Sequence, residues 1–223
     1  MHSRRWIIFK RSPFMLLHLL GFLVLYTGFS RTAFLVFAVS TVIRMFGLTG
    51  GFHRYFSHRT YKAGRVFQFV LALLGTAAAQ HGPLWWASHH RRHHRYSDLP
   101  DDVHSPIQKG FWYAHLGWLF EPEFYPTHLS QVPDWAKFKE LRILDKHHRW
   151  WVLFYGFFIY LVGVFLTFHG WAASALQVWV WGFVLSTIFL YHVTFSINSI
   201  SHLIGHAHYK TSDSSKNNWV LAL

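Results

Sequence analysis

The chain has 223 residues, of which 52% are hydrophobic, 20% aromatic and only 13% charged. This length fits one domain, residues 1–223, but the composition excludes an ordinary soluble surface, which mixes many charges of both signs. The formal charge of +12 comes from basic residues between long apolar segments, which favours anionic lipid or acidic partners over nucleic acid. The chain has no cysteine, which excludes disulfides, cysteine-bound zinc and iron–sulfur clusters.

Apolar stretches along the chain predict an all-α integral membrane protein with four transmembrane helices. They lie at about 13–29, 32–50, 150–169 and 172–198, long enough to cross a bilayer. The first is expected to be retained, because no small-residue cleavage site follows it. A shorter stretch at about 66–80 predicts an interfacial or re-entrant helix. The polar segment at about 87–149 predicts a cytosolic helical cap.

The distribution of charge predicts the orientation of these spans. If the short stretch does not cross, the histidine clusters on either side of it share the cytosolic face with both termini. All 21 Lys and Arg residues except Arg31 and Arg44 then lie on the cytosolic side, as the positive-inside rule requires. The membrane would be the inner or plasma membrane if the source is bacterial, and the endoplasmic reticulum if it is eukaryotic.

Three polar side chains fall within the predicted spans. Arg44 lies about two turns before Gly50, so we expect it to snorkel to the cytosolic interface. His18 and His192 are expected to be hydrogen-bonded packing residues rather than metal ligands.

Two histidine clusters, His53-x4-His58 and His90-x2-His93-His94, flank the short apolar stretch. Helix positions i, i+3 and i+4 share one face, so the second cluster predicts three imidazoles at one locus. Residues five apart are about 140° apart on an unbroken helix, so His53 and His58 converge only if the helix ends between or beside them. Imidazole is a ligand for iron, zinc, copper and nickel, and the clusters together predict a metal site. The alternative is a solvated basic face.

Other polar residues have positions suited to such a site. A metal-bound histidine usually donates its other ring N–H to a carboxylate, and Asp98 and Asp102 follow the second cluster. The alternative is that they only form turns. Asn198 and His202 share one helix face at the cytosolic end of the last span.

These motifs resemble the first two histidine boxes of the membrane fatty acyl desaturases, in the stearoyl-CoA desaturase-like group. The resemblance runs from about Thr32 to the last residue. Its flanking motifs are Gln80, Trp86-Ala87, Asp102-Val-His104, Gly110-Phe-Trp-Tyr-Ala-His115-Leu-Gly-Trp118 and Asn198-Ser-Ile-Ser-His202.

The resemblance implies four spans, a cytosolic cap and two iron ions (Fe2+/Fe3+) that use O2 and two electrons to remove two hydrogens from an acyl chain. Only a redox metal can break an unactivated C–H bond, because no side-chain acid or base can. The implied iron ligands are His53, His58, His90, His93, His94 and His202, with Asn198 holding a water next to the metal.

The acyl chain would need an apolar tunnel. Gln80, Trp85, Trp86 and Trp118 are expected to line it, although interfacial anchoring is the alternative for each tryptophan.

The chain departs from the family pattern at its end. A third box, His-x2-His-His, is expected soon after the last span, and the sequence stops at Asn217–Leu223, which resembles the stretch before that box. His206 and His208 have the wrong spacing to replace it. We therefore expect that the C-terminal part is missing, the alternative being a degenerate, inactive member.

The sequence thus predicts an O2-dependent desaturase acting on acyl-CoA or an acyl lipid. A fatty acid or alkane hydroxylase and an inactive metal-binding membrane remnant are the alternatives. The basic cytosolic surface predicts an acidic electron donor, a ferredoxin or a cytochrome b5-like protein.

Overall fold

The computed structural model describes residues 4–172, 174–206 and 214–219, with residues 4–11 described by their backbone alone. Helices are the only regular elements across these ranges, apart from an isolated bridge between His206 and Asn217. The all-α prediction is therefore confirmed. His208 and residues 220–223, which entered the expectation about the missing box, lie outside the described residues.

The helices fall into two apolar groups separated by a cap of shorter helices. The first group contains α1 (Arg4–Gly21), α2 (Val24–Thr27), α3 (Arg31–Phe46) with its π-helical continuation (Gly47–Ser57), and α4 (Arg65–Ala77). The cap contains α5 (Pro83–Tyr96), α6 (Pro106–Lys109), α7 (Phe111–His115), three 3-10 turns (Gly117–Phe120, Pro122–Phe124 and Leu129–Gln131), α8 (Pro133–Ala136) and α9 (Lys139–Lys146). The second group contains α10 (His148–Phe168), α11 (Ala175–Trp179), a second π-helix (Val180–Leu185) and α12 (Ser186–Leu203).

Within the described ranges, three continuous helical segments are long and apolar enough to cross a membrane: Arg31–Ser57, His148–Phe168 and Ala175–Leu203. The first predicted span corresponds to a shorter apolar segment, Ser12–Thr27. At about 1.5 Å per residue its 16 residues extend about 24 Å, less than the hydrocarbon thickness of about 30 Å. The fourth crossing and the orientation of the chain therefore stay predictions.

The outer face of α10 has the character of a lipid-facing surface. Leu153, Phe157 and Leu161, which are four residues apart, are between 47% and 60% exposed. A continuous apolar face of this length is suited to a membrane rather than to water.

The short helix α4 packs closely against the π-helix that continues α3. A Cβ atom on Gly47 would lie 2.4 Å from the backbone nitrogen of Gly75, and a Cβ on Gly75 would lie 2.4 Å from the Phe52 ring. Only glycine allows the two backbones to approach so closely. The contact fixes the π-helix, and therefore His53, against the rest of the core.

Arg44 does not snorkel to the interface, so that expectation is wrong. Its side chain is 0% exposed, and its guanidinium donates to Ala77 O at 3.3 Å, to Thr187 Oγ1 at 2.7 Å and to Ser186 Oγ. The guanidinium carbon also lies 5.1 Å from the centre of the Tyr155 ring. Because α4, α10 and α12 supply these partners within the protein, the side chain has no need to reach water.

His18 and His192 are hydrogen-bonded packing residues, as predicted. Their Nε2 atoms lie 3.2 Å apart, and His192 Nδ1 lies 3.1 Å from Nε2 of His115, whose Nδ1 is 3.0 Å from Ser199 Oγ. His18 Nδ1 lies 2.8 Å from the carbonyl oxygen of Phe14. A carbonyl only accepts, so His18 donates to it from Nδ1.

Candidate metal centre

The π-helix brings His53 and His58 together. A π-helix closes its hydrogen bonds between residues five apart, and His58 N donates to His53 O at 3.1 Å. The wider turn places the two side chains on the same side, with their Nε2 atoms 3.1 Å apart. The helix also ends at Ser57, beside His58 as the sequence required. The π geometry was not predicted, and it is what aligns the pair.

His90 and His94 on α5 complete this first histidine group. His90 Nε2 lies 3.0 Å from His58 Nε2 and 3.0 Å from His94 Nε2. One ring nitrogen from each of the four imidazoles lies within 4.8 Å of the others. Two separate helices therefore direct nitrogen atoms at one small volume, which is the arrangement that a metal ion needs.

The electrostatics of the group fit a metal ion better than they fit protons. Burial, together with the neighbouring imidazoles, holds the pKa of His90 well below its ordinary value. Burial and then Arg91 lower the pKa of His58. These two rings therefore favour the neutral form, which is the form that binds a metal. Nitrogen-only imidazole sites suit iron among other transition metals.

A second group consists of His93, Asp102 and His104, whose ligand atoms also lie within 4.8 Å of one another. His93 Nδ1 donates to Asp102 Oδ1 at 2.8 Å, which leaves its Nε2 free to bind a metal ion. The sequence placed His93 with His90 and His94 at one locus, whereas the structure turns its ring toward the second group. His104 was noted only as part of a flanking motif. Its buried Nδ1 has no hydrogen-bond partner among the described residues.

Asp98 holds His202 through a serine. His202 Nδ1 lies 2.8 Å from Ser214 Oγ and 3.6 Å from Asp98 Oδ2. The same oxygen accepts from Ser214 N and Oγ at 2.7 Å, and Oδ1 accepts from Ser105 Oγ at 2.7 Å. Burial alone would raise the pKa of Asp98, but these hydrogen bonds outweigh it and lower the pKa. The carboxylate is therefore ionised next to His202.

A cavity of about 120 Å³ adjoins both groups. His90, His104 and Asn198 lie in its wall, and so do all four residues predicted for the tunnel: Gln80, Trp85, Trp86 and Trp118. The rest of the wall is mainly apolar, from Phe14, Ala79, Val103, Leu119, Tyr191 and Phe195. An apolar chain in this cavity would therefore lie against the metal centre.

Arg91 connects the two histidine clusters, and sequence reasoning missed it. Its guanidinium donates to the carbonyl oxygens of Phe56 and Ser57 at 2.7 and 3.1 Å. It also donates to both carboxylate oxygens of Asp134, each at 2.9 Å. In the sequence, Arg91 stands next to Arg92 and therefore resembles part of a solvated basic run. The signal that could have identified it is helical phase, because Arg91 follows buried Ala87 and Ser88 at i+4 and i+3.

Known proteins are similar to this chain over most of its length. A family model described as fatty acid desaturase matches residues 29–223. The Acyl-CoA C20 Delta5-desaturase of Anemone leveillei is 34% identical over 199 residues, covering 87% of this chain and 60% of the relative. The sn-1 stearoyl-lipid 9-desaturase of Anabaena variabilis is 34% identical over 181 residues, covering 79% and 61%.

A chloroplastic relative, the palmitoyl-monogalactosyldiacylglycerol delta-7 desaturase of Arabidopsis thaliana, is 31% identical over 209 residues, covering 92% of this chain and 53% of the relative. The chain therefore spans between about half and three fifths of the length of these relatives.

Proposed function

The chain belongs to the fatty acid desaturase family, and we propose that it inserts a double bond into a long acyl chain, carried by CoA or by a lipid, at a histidine-bound pair of irons. The observation that carries this proposal is the convergence of His53, His58, His90 and His94 within 4.8 Å beside an apolar cavity. With O2 and two electrons, iron held there would supply the oxidising chemistry that no side chain has.

The ligands predicted from the sequence would divide between the two proposed irons. His53, His58, His90 and His94 would hold one. His93 and His202 would hold the other, with Asn198 binding it through a water. Asp102 and Asp98 would orient His93 and His202 from outside.

The walls of the cavity would position the acyl chain and exclude water. Their polar edges are held in place: the Trp85 indole donates to Phe124 O at 2.8 Å, and Gln80 Nε2 donates to Thr194 Oγ1 at 3.0 Å. A fixed wall holds one part of the chain beside the metal, which is how a position along the chain is selected.

We place the protein in the membrane as a four-span protein, with its termini and histidine groups in the cytosol. The exposed basic residues of the cap would dock an acidic electron donor, a ferredoxin or a cytochrome b5-like protein. Raising the salt concentration should slow electron transfer from such a donor, since surface charges are screened.

The test is to express the protein in a form that carries the expected third histidine box, in a host with saturated acyl chains, measure iron per purified chain and analyse the acyl products by mass spectrometry. Iron and a new double bond are expected, and His53→Ala should lose both. His169→Ala, which changes an exposed histidine at the end of α10, is the control. An alcohol product would identify a hydroxylase instead. The absence of both iron and product would favour an inactive remnant.

A further inference from the structure

A second cavity, of about 310 Å³, opens at the start of α10. Five of its seven lining residues are basic, and the other two are aromatic. The basic residues are His81, Lys146, His147, His148 and Arg149. Among the residues that the structure describes, no acidic side chain lines the cavity. Lys146 and Arg149 are cations at neutral pH, so its interior has a positive potential that attracts an anion.

The nearest carboxylate along the chain makes its hydrogen bonds within the protein. Asp145 Oδ1 accepts from the backbone nitrogens of Leu84 and Trp85 at 2.9 and 2.8 Å, and its Oδ2 accepts from Thr127 at 2.7 Å. Its oxygens are therefore directed into the protein. Across the described residues, neither Lys146 nor Arg149 forms an ion pair.

In a membrane that α10 crosses, as proposed, the cavity would lie at the depth of the lipid phosphates. It opens at the first residues of α10, one of the segments suited to cross the membrane. Trp150 lines it and is 71% exposed, and tryptophan is enriched at the membrane–water interface. Basic residues immediately outside a span attract anionic head groups.

His81 lies in the wall of this basic cavity and also in the wall of the apolar cavity beside the histidine groups, which we call the acyl cavity. Its ring stacks on Trp85 with a centroid distance of 4.0 Å, and Trp85 continues the wall of the acyl cavity toward His90. The two cavities therefore adjoin at His81, and a molecule that passes this ring would place an anionic head in the basic cavity and an apolar tail beside the candidate metal centre.

We propose that the basic cavity binds the phosphate of the acyl donor, so that the substrate is a phosphate-bearing donor, a phospholipid or an acyl-CoA, rather than a neutral galactolipid. This inference rests on the proposed desaturase function for the role of the tail. The binding of the phosphate depends only on the cavity.

The test is equilibrium binding to the purified full chain in neutral detergent. The probes are distearoyl phosphatidylglycerol, stearoyl-CoA and distearoyl monogalactosyldiacylglycerol, with inorganic phosphate as competitor. We expect phosphatidylglycerol or stearoyl-CoA to bind about tenfold or more tightly than the galactolipid. Which of the two binds more tightly identifies the source of the phosphate.

The double variant Lys146→Gln/Arg149→Gln should remove most of this preference. Lys139→Gln/Arg142→Gln is the matched control, because it removes the same charge from exposed positions of the neighbouring α9 that do not line the cavity. Equal losses in the two double variants would overturn the proposal, as would equal binding of the galactolipid. Inorganic phosphate binding as tightly as the lipid would also overturn it, since the site would then not recognise an acyl donor.

The measurement separates this proposal from the desaturase function. Preserved phosphate selectivity without turnover would count against the function and leave the cavity assignment in place. Turnover without selectivity for phosphate would support the desaturase function and count against the assignment of the cavity.

Discussion

The carboxylates next to the histidines act through the hydrogen bonds that they accept. Asp102 Oδ1 accepts from His93, and its Oδ2 accepts from the backbone nitrogen of Asp98 at 2.8 Å. With both oxygens occupied, the carboxylate keeps one position, and so does the His93 ring. A ring held in this way presents its Nε2 lone pair in a constant direction.

Replacing Asp102 by asparagine should weaken iron binding by about 10–100-fold. An amide can donate to His93 Nδ1, which would move the ring proton to Nε2 and block the ligand atom. Competition with a coloured chelator would measure the affinity. Asp101→Asn, at an exposed neighbouring position, should bind iron as the wild type does. Equal affinities for all three proteins would show that Asp102 does not orient a ligand.

His89 should make the metal-free protein sensitive to mild acid. Burial lowers the pKa of His89 to about 4, although its hydrogen bond to Pro126 O opposes the shift. The unfolded chain takes up the proton near pH 6.5 while the folded chain remains neutral. The stability from this residue is thus fully present above pH 6.5 and is lost as the pH falls toward 4.

The variant His89→Gln should therefore show a flatter fall in Tm between pH 7 and pH 5 than the wild type, with thermal unfolding in detergent as the measurement. His169→Gln, at an exposed position, should fall as steeply as the wild type. Identical slopes for His89→Gln and the wild type would contradict the assignment.

At the residue scale, the sequence predicted the positions of the polar groups better than their contacts. Helical spacing was enough to bring His90 and His94 together, because i and i+4 lie on one face whatever surrounds them. The orientation of His93 depends on Asp102, nine residues later, and Arg91 depends on the carbonyls of another helix. Such contacts depend on the tertiary structure, which cannot be inferred from the spacing of residues in the sequence.

At the scale of elements, the π-helix of Gly47–Ser57 is the feature that the sequence did not predict. π-helical turns are rare and are found mostly at functional sites. Here Phe52 is fully buried and the backbone at Gly47 lies against Gly75 of α4. The wide turn is therefore maintained by packing against α4, and no local propensity would have indicated it.

Gly75→Ala should destabilise the protein by about 1–3 kcal/mol and lower its iron content. The added Cβ would lie 2.4 Å from the Phe52 ring and 2.9 Å from Gly47 O, so the π-helix must shift, and His53 with it. Gly64→Ala is the control, because a Cβ there meets no atom within 4 Å. It should stay within about 0.5 kcal/mol of the wild type.

Unfolding in a denaturing detergent, with iron analysis of the same samples, would test this pair. A similar stability for the two alanine variants would mean that the approach of the two helices is not needed for the π-helix.

At the scale of the whole molecule, Arg44 joins elements that are far apart in the chain. Its partners lie at the end of α4 and the start of α12, with Tyr155 of α10 against the guanidinium. The sequence identified a basic residue within an apolar segment. The position of its partners could not be predicted, because Ser186 and Thr187 resemble ordinary small polar residues of a span.

Arg44→Met should reduce stability by more than about 2 kcal/mol, because buried oxygens on two other helices lose their donor. Arg44→Lys should be intermediate, since an ammonium group keeps the charge but not the planar fork. The exposed Arg31 at the start of α3 gives the control Arg31→Gln, which should unfold like the wild type. A wild-type Tm for Arg44→Met would show that the network contributes no stability.

The burial of Arg44 has a consequence for biosynthesis. On insertion scales, an arginine at the centre of a membrane helix costs about 2.5–3.5 kcal/mol, and two of the oxygen partners of Arg44, Ser186 and Thr187, lie 142 and 143 residues later in the chain. Until α12 is made, the guanidinium lacks these two partners, and its acceptors within the protein are the carbonyl oxygens of Ser40 and Ala77. If α3 crosses the membrane, as we propose, its stable insertion depends on a helix that is made much later, so the newly made segments would insert as a set.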